Sequence, residues 1–335
     1  MAHTKGTMPF VELTANEVSN LWSSYLKSSM EQRLFEYFFA STEDSSIKQV
    51  IETMLTQSQK NINELKEIFI KENLTIPLGF THEDVRTDVP KVFSDTFILY
   101  FCFDLTHLSF STYPIALSDC TRKDVRDHFQ VNIAFSVKVQ NEIVDLMLSQ
   151  GIYLKPPQVA IDSEVEFADN FMYLNGFFGG SRPLNAPEIA NVSRIIHRAQ
   201  FSKMVFVTFS KLAQTKELKQ HFGKGRDGIE KILDSLQEVL EKENIPISAS
   251  GDYQISDGEM SPFSDKLMLF FVNTCLGIFC FAMVGQAMTS SLRTDIVFKL
   301  GNISDDMKKY YGLGLLLAIK EKWFEQPPQA VDRKV

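Results

Sequence analysis

Leu13-Thr14-Ala15-Asn16-Glu17-Val18 returns 171 residues later as Leu184-Asn185-Ala186-Pro187-Glu188-Ile189. Both hexapeptides place a capping residue, Thr14 or Asn185, three positions before a glutamate, which is the spacing of a capping box that starts a helix. Outward from this pair the repeat continues at a nearly constant offset. Glu72-Asn73 matches Glu243-Asn244, with an Ile-Pro pair shortly after each, and Phe93-Ser94-Asp95 matches Phe263-Ser264-Asp265. Arg122 and Asp124 match Arg293 and Asp295, and the Pro156-Pro157-Gln158 end of the first copy matches Pro327-Pro328-Gln329. Two copies in the same order make a domain pair and not a solenoid. The first domain is expected over 11–158, the second over 184–329, with a joining segment at 159–183. The shared polar residues fall at expected helix starts, ends and turns, so they read as fold punctuation and not as chemistry.

Apolar spacing is helical throughout, and period-2 strand patterns are absent. The first copy predicts helices over about 14–40, 44–73, 91–118 and 121–151, and the second over about 185–214, 216–244, 261–290 and 292–324. The joints within each helical pair are a few residues long, so those pairs are antiparallel neighbours. Between the second and third helices lie about 17 residues, Leu74 to Pro90. Extended, such a stretch reaches about 56 Å, whereas a 27-residue helix is roughly 40 Å long. It can therefore cross the whole bundle. The expected fold is all-α: two tandem four-helix bundles, ferritin-like, each with one long crossover between helices two and three. An up-down bundle with a loose middle loop is the alternative. The joining segment contains Phe171-Met172-Tyr173-Leu174-Asn175-Gly176-Phe177-Phe178, too apolar for a solvated linker. It is expected to pack on a bundle and set how the domains meet.

The 335 residues are 44% hydrophobic, with 28 Phe, a net charge of −8 and a pI near 5.4. That acidic balance lacks the basic footprint of a nucleic-acid binder and disfavours an anionic membrane surface. Cys102, Cys120, Cys275 and Cys280 form no C-x-x-C and are expected to be buried free thiols, which together with the absence of an apolar signal core in 1–10 implies a cytoplasmic protein.

The junction Gly176-Phe177-Phe178-Gly179-Gly180-Ser181-Arg182-Pro183-Leu184-Asn185-Ala186-Pro187-Glu188-Ile189 resembles that of an uncharacterised family of duplicated proteins from Bacillus-type endospore formers, distantly similar to spore coat proteins. The resemblance covers nearly the whole chain. It implies a ferritin-like bundle pair in a spore former and brings no assigned chemistry with it.

Three motifs suggest chemistry, and each has a plainer reading. Gly223-Lys224-Gly225-Arg226-Asp227-Gly228 has the letters of a dinucleotide loop, but a helical segment precedes it where a strand is required. The expected effect of its glycines is a kinked or loosened helix. A ferritin-like di-iron centre needs Glu-x-x-His on two helices, and neither copy has one. The nearest approach is Asp104-Leu105-Thr106-His107 on the third helix, able in principle to reach Glu36 or His128 across the first bundle; the plainer reading is a satisfied polar pair. Leu267 to Met288 is long and apolar enough to span a membrane, yet its partner in the first copy carries Asp104 and His107, and a helix apolar on all sides can be buried centrally.

The leading expectation is a non-catalytic structural or interaction protein that assembles with itself or with other proteins, without a cofactor. The second is a binding module holding a metal or a small apolar ligand in the first bundle near Asp104, His107, His128 and Glu36. A third, weaker expectation is membrane association through the seventh helix. The lining of each bundle distinguishes the first two.

Overall fold

The computed structural model describes residues 11–160, 164–177, 181–248, 254–255 and 260–330. The first ten residues, and Phe178, Gly179 and Gly180 of the junction, lie outside them. The first copy folds as α1 (Ala15–Ser41), α2 (Ser45–Lys71), α3 (Asp95–Ser118) and α4 (Lys123–Ser149); the second as α5 (Ala186–Leu212), α6 (Lys216–Lys242), α7 (Asp265–Ser290) and α8 (Thr294–Lys320). Among the described residues there is no β-strand, only two isolated bridges.

The residues common to both copies do the same work twice. Thr14 and Asn185 close capping boxes with Glu17 and Glu188. Each glutamate then reaches the far turn of its bundle, where it accepts from Thr121 N and Arg122 N (both 2.8 Å), or from Leu292 N (3.0 Å) and Arg293 N (2.9 Å). Asn73 and Asn244 take the left-handed conformation (φ 51° and 56°) that ends α2 and α6, with Leu74 N and Ile245 N closing onto the carbonyls of Phe69 and Leu240. Arg122 bridges Glu72 and Asp124, and Arg293 bridges Glu243 and Asp295.

Asp95 decides the topology. Its carboxylate accepts from Glu43 N and Asp44 N in the α1–α2 turn, so α3 starts at the end of the bundle opposite to where α2 stops. Asp265 does the same with Gln214 N and Thr215 N. In each copy the chain therefore travels the length of the bundle between its second and third helices, and the long crossover is present twice.

The two crossovers lie against each other. Val85 bridges Phe263 and Phe93 bridges Ile255, both antiparallel. Val85 corresponds to Ile255 and Phe93 to Phe263, so each bridge is the other with the copies exchanged. The repeats are thus related by an approximate two-fold, an isologous contact inside one chain. Phe101 meets its own counterpart Phe271 at 5.4 Å across it. Around it a single aromatic core draws on both copies, with Phe38, Phe93, Phe97, Phe101, Phe201, Phe263 and Phe271 all buried.

The joining segment packs on a bundle only in part. The crossovers and α3, α5 and α7 set how the bundles meet, while Phe167 and Phe171 stand 89% and 91% exposed. The segment touches the second bundle near its end, where Gly176 N donates to Thr294 Oγ1 and the Phe177 ring meets Phe298.

α7 is the one described helix long and apolar enough to cross a membrane, and Leu267, Met268, Phe271, Val272, Cys275 and Leu276 bury it in the shared core. Between Asp265 and Arg293 the second copy has one residue more than the first, and α7 absorbs it as a π-turn at Phe271–Leu276. The glycine motif lies inside α6, which is one continuous helix over Lys216–Lys242. Gly225 is required there: a Cβ would come within 2.6 Å of the Phe206 ring and the Tyr310 hydroxyl.

Candidate functional site

The bundle interiors differ sharply. In the first, Lys27 and Glu31 lie one turn apart on the buried face of α1 and pair at 2.6 Å. Lys27 Nζ also reaches Ser109 Oγ and Tyr113 Oη on α3, both at 3.1 Å. Across the bundle, Asn61 on α2 donates to Asn132 Oδ1 on α4 at 2.7 Å, and Gln57 donates to Asn61 at 2.9 Å. These groups surround a void of about 30 Å³, room for about one water. Burial alone would lower the lysine's pKa, but Glu31 and Tyr113 outweigh it and raise it above the ordinary lysine range; burial raises that of Glu31. An ammonium at the centre of the polar layer opposes a metal cation there by simple repulsion.

At the matching positions of the second bundle stand Arg198, Ser202, Ile232, Ile303 and, for Ser136, Met307. Ile232, Ile303 and Met307, with Ile195, Ala199, Met283 and Val284, form an apolar interior edged by Arg198. Its guanidinium pairs with Asp104 on α3 of the other repeat. Both side chains are buried, so the ion pair is a bolt between the copies.

Beside that bolt is a cavity of about 300 Å³. Tyr100, Phe103, Asp104 and His107 follow one another at helical spacing along one face of α3; Ala190, Ser193, Arg194, His197, Arg198 and Phe201 do so along α5. The chain after α4 covers it with Tyr153, Leu154 and Pro156. Tyr100 holds that cover, donating its hydroxyl to Ile152 O at 2.6 Å and accepting from Leu154 N at 3.3 Å.

The residues expected to form a site are thus separated. Asp104 and His107 share the seam cavity, with His107 Nδ1 2.8 Å from Phe103 O. His128 lies apart on α4, 3.1 Å from Glu64. Glu36 pairs with Arg33 on α1 at 2.8 Å. Asp104 meets neither of them, because α3 turns that face toward the second repeat. Among the described residues no group of three or more His, Cys, Asp and Glu side chains is placed to hold a metal. All four cysteines are free; Cys102, Cys120 and Cys275 are buried, Cys280 less completely, and burial pushes Cys275 up to about 12.

Sequence reading missed Lys27, Glu31, Asn61 and Asn132. The available signal was copy-to-copy contrast: an asparagine that becomes isoleucine in its duplicate at an inward helix position marks a polar interior.

The molecule is a tandem pair of four-helix bundles joined through a shared aromatic core. It belongs to the family described as protein of unknown function (DUF3231), which matches it twice, over residues 3–165 and 172–335. Among solved structures it is similar to a candidate spore coat protein from Bacillus halodurans, with 19% identity over 45% of this chain and 98% of that one and a TM-score of 0.42. No curated protein matches it.

Proposed function

We propose that this protein is a non-catalytic structural protein that works by assembling with a second copy of itself through the outer face of α8. The observation that carries this reading is the pattern on that face. Phe298, Leu313, Leu316 and Ile319 are exposed, Phe298 and Leu316 by 61% and 63%. Leu313, Leu316 and Ile319 cluster within two turns, with Phe298 about 27 Å away at the other end of the same face; an exposed apolar cluster marks an interaction site. The pattern is also nearly palindromic about Met307, which points the opposite way, into the bundle. Going outward from Met307, Asp306 mirrors Lys308, Asp305 mirrors Lys309, Asn302 mirrors Gly312, Gly301 mirrors Leu313, and Phe298 mirrors Leu316.

Two such helices packed antiparallel about a two-fold would bring Asp305 against Lys309 of the other copy and Phe298 against Leu316, the mirrored pairs nearest the middle of the face. Self-complementarity of this kind is what an isologous dimer needs. In the single chain the same charges pair along the helix, Asp305 with Lys308 at 3.0 Å and Asp306 with Lys309 at 3.5 Å. Work in the endospore follows from the family resemblance and belongs to this proposal; fractionation of sporulating cells tests it.

Sedimentation of the full chain tests the assembly. A dimer is expected, with Leu316→Glu shifting it to monomer. Asp305→Lys should weaken it and Asp305→Lys with Lys309→Asp should restore it. A dimer untouched by Leu316→Glu, or a double charge reversal as weak as the single, overturns the proposed contact. A chain that stays monomeric at every concentration gives the face to a different partner.

A further inference from the structure

We propose that the seam cavity binds a small aromatic carboxylate, its carboxylate held at the mouth by Arg194 and His197 and its far end offering a hydrogen to Asp104. The cavity, about 300 Å³, is at the lower bound of small-molecule sites. Its walls are flat and apolar: Phe103, Tyr153 and Phe201 come from three different parts of the chain. Rings of this kind accept a planar body by offset or edge contact.

Asp104, His197 and Arg194 point to a polarity for the ligand. Asp104 is more than nine-tenths buried, and its Oδ2 has no hydrogen-bond partner, although Arg198 holds the other oxygen. That leftover oxygen accepts a hydrogen and repels an anion. His197 Nε2 is also buried without a partner. Arg194, one turn from His197 on the same face of α5, is exposed at the mouth and donates to Gln286 at 3.1 Å.

Arg198 is neutralised by Asp104, so the guanidinium of Arg194 leaves the lining with one surplus positive charge. Burial pushes the pKa of His107 and His197 down, so both imidazoles stay neutral near pH 7; a ring N–H of His197 can still donate. The cavity therefore reads as donor-rich at the mouth, aromatic in the middle and acceptor at the floor. A neutral or cationic ligand would leave the Arg194 end unanswered. This site is independent of the α8 face and of assembly.

Titration calorimetry of the full chain with 4-hydroxycinnamate, its amide, tyramine and unsubstituted cinnamate reads the proposal directly. 4-Hydroxycinnamate is expected to bind, with the amide and tyramine each weaker by about tenfold or more, the worth of one charge-assisted hydrogen bond. Cinnamate, lacking the far hydroxyl, should fall several-fold. Arg194→Gln should lose about tenfold for the acid while leaving the amide nearly unchanged, and His197→Phe should weaken both, because the amide carbonyl also accepts from the imidazole. Because Arg194 is exposed, Arg194→Gln should melt like the parent, which separates recognition from folding. Ala190→Trp, at the mouth, should abolish binding of every probe. An amide that binds as tightly as the acid, or tyramine binding best, overturns the assignment of the mouth. Binding that survives Ala190→Trp places the ligand elsewhere, and no binding by any probe makes the cavity a packing void; either result also overturns it.

Discussion

Lys27 and Arg198 occupy the same place in the two repeats, and they do opposite things. Lys27 turns inward, to Glu31 on its own helix, and makes the first bundle polar at its centre. Arg198 has Ser202 where Lys27 has Glu31, so it reaches across the seam to Asp104. The approximate two-fold would set Lys27 against Thr274, the counterpart of Asp104, which has no charge to offer. Duplication thus gave one frame, and a few substitutions sent the same basic residue to different partners. The conserved frame carries the fold, and the differences between copies place the polar interior and the cavity.

The largest effects should come from breaking these two pairs. Lys27→Met leaves Glu31 charged and unpaired in the first bundle, and a cost of about 3–5 kcal/mol is expected in denaturant unfolding. Adding Glu31→Met should recover most of it, because a buried pair replaced by apolar groups is often nearly neutral. Arg198→Leu should cost a similar amount by stranding Asp104, but its signature differs. Hydrogen exchange should rise in α3 and α5 along the seam, whereas Lys27→Met should loosen the interior of α1 to α4. If both variants loosen the same helices, the contrast between inward and outward pairing is wrong.

The shared carboxylates give the next effect. Burial alone would raise the pKa of Glu17, but the backbone N–H groups of Arg122, Thr14 and Thr121 outweigh it and bring it from 4.5 to about 2. The folded value lies below the unfolded one, so the stabilisation is complete above about 4.5 and is lost as pH falls through 2. Glu188 is also lowered, its burial opposed by Arg182 and the backbone donors. The parent should therefore lose stability between those pH values, and Glu17→Gln should flatten that acid limb while lowering stability at neutral pH. Urea midpoints measured across this range check it; an unchanged slope in Glu17→Gln would mean that the cap carries no charge effect.

A smaller change tests whether the first bundle can be made like the second. Asn132→Ile alone leaves Asn61 without its acceptor and should cost about 1–3 kcal/mol. Asn61→Ile with Asn132→Ile copies Ile232 and Ile303, removes both partners, and should be close to neutral. A double variant as unstable as the single would show that the polar layer is held by more than this pair.

Much of the frame was legible because it is written in local rules. Capping boxes, an asparagine at a helix end and a loop too long for a tight turn each have a sequence signature, and all fall at the same offset in both copies. The crossover followed from loop length against helix length. The candidate site was legible only in part. Asp104 and His107 are three residues apart on one helix face, so their joint presence in a cavity could be anticipated. Their real companions, Arg194, His197 and Arg198, lie about 90 residues away on a helix of the other repeat. Helical periodicity says which residues share a face, and it says nothing about which helix that face will meet. The π-turn hid the register of α7 in the same way: counted as plain α-helix, one extra residue would rotate everything after it by about 100°, and the π-turn absorbs it.

The smallest expected effect concerns the segment between the repeats. Its hydrophobicity suggested a packed strut, yet Phe167 and Phe171 stand almost wholly in solvent, while Arg182 near its end is fixed by Glu188 at 2.8 Å and stacks 4.1 Å over Tyr173. Phe167→Ser and Phe171→Ser should therefore change stability by no more than about 0.5 kcal/mol. Arg182→Ala should cost more, because Glu188 is buried and the pair is doubly hydrogen-bonded through both guanidinium Nη atoms. Thermal melts of the three variants rank them. If Phe171→Ser proves the costlier, the segment packs in solution and the bundles are joined by it as well as by their crossovers. If the ranking holds, the two copies are held by the aromatic core and the Asp104–Arg198 pair, and the apolar stretch at Phe171 is free to serve contacts outside the chain.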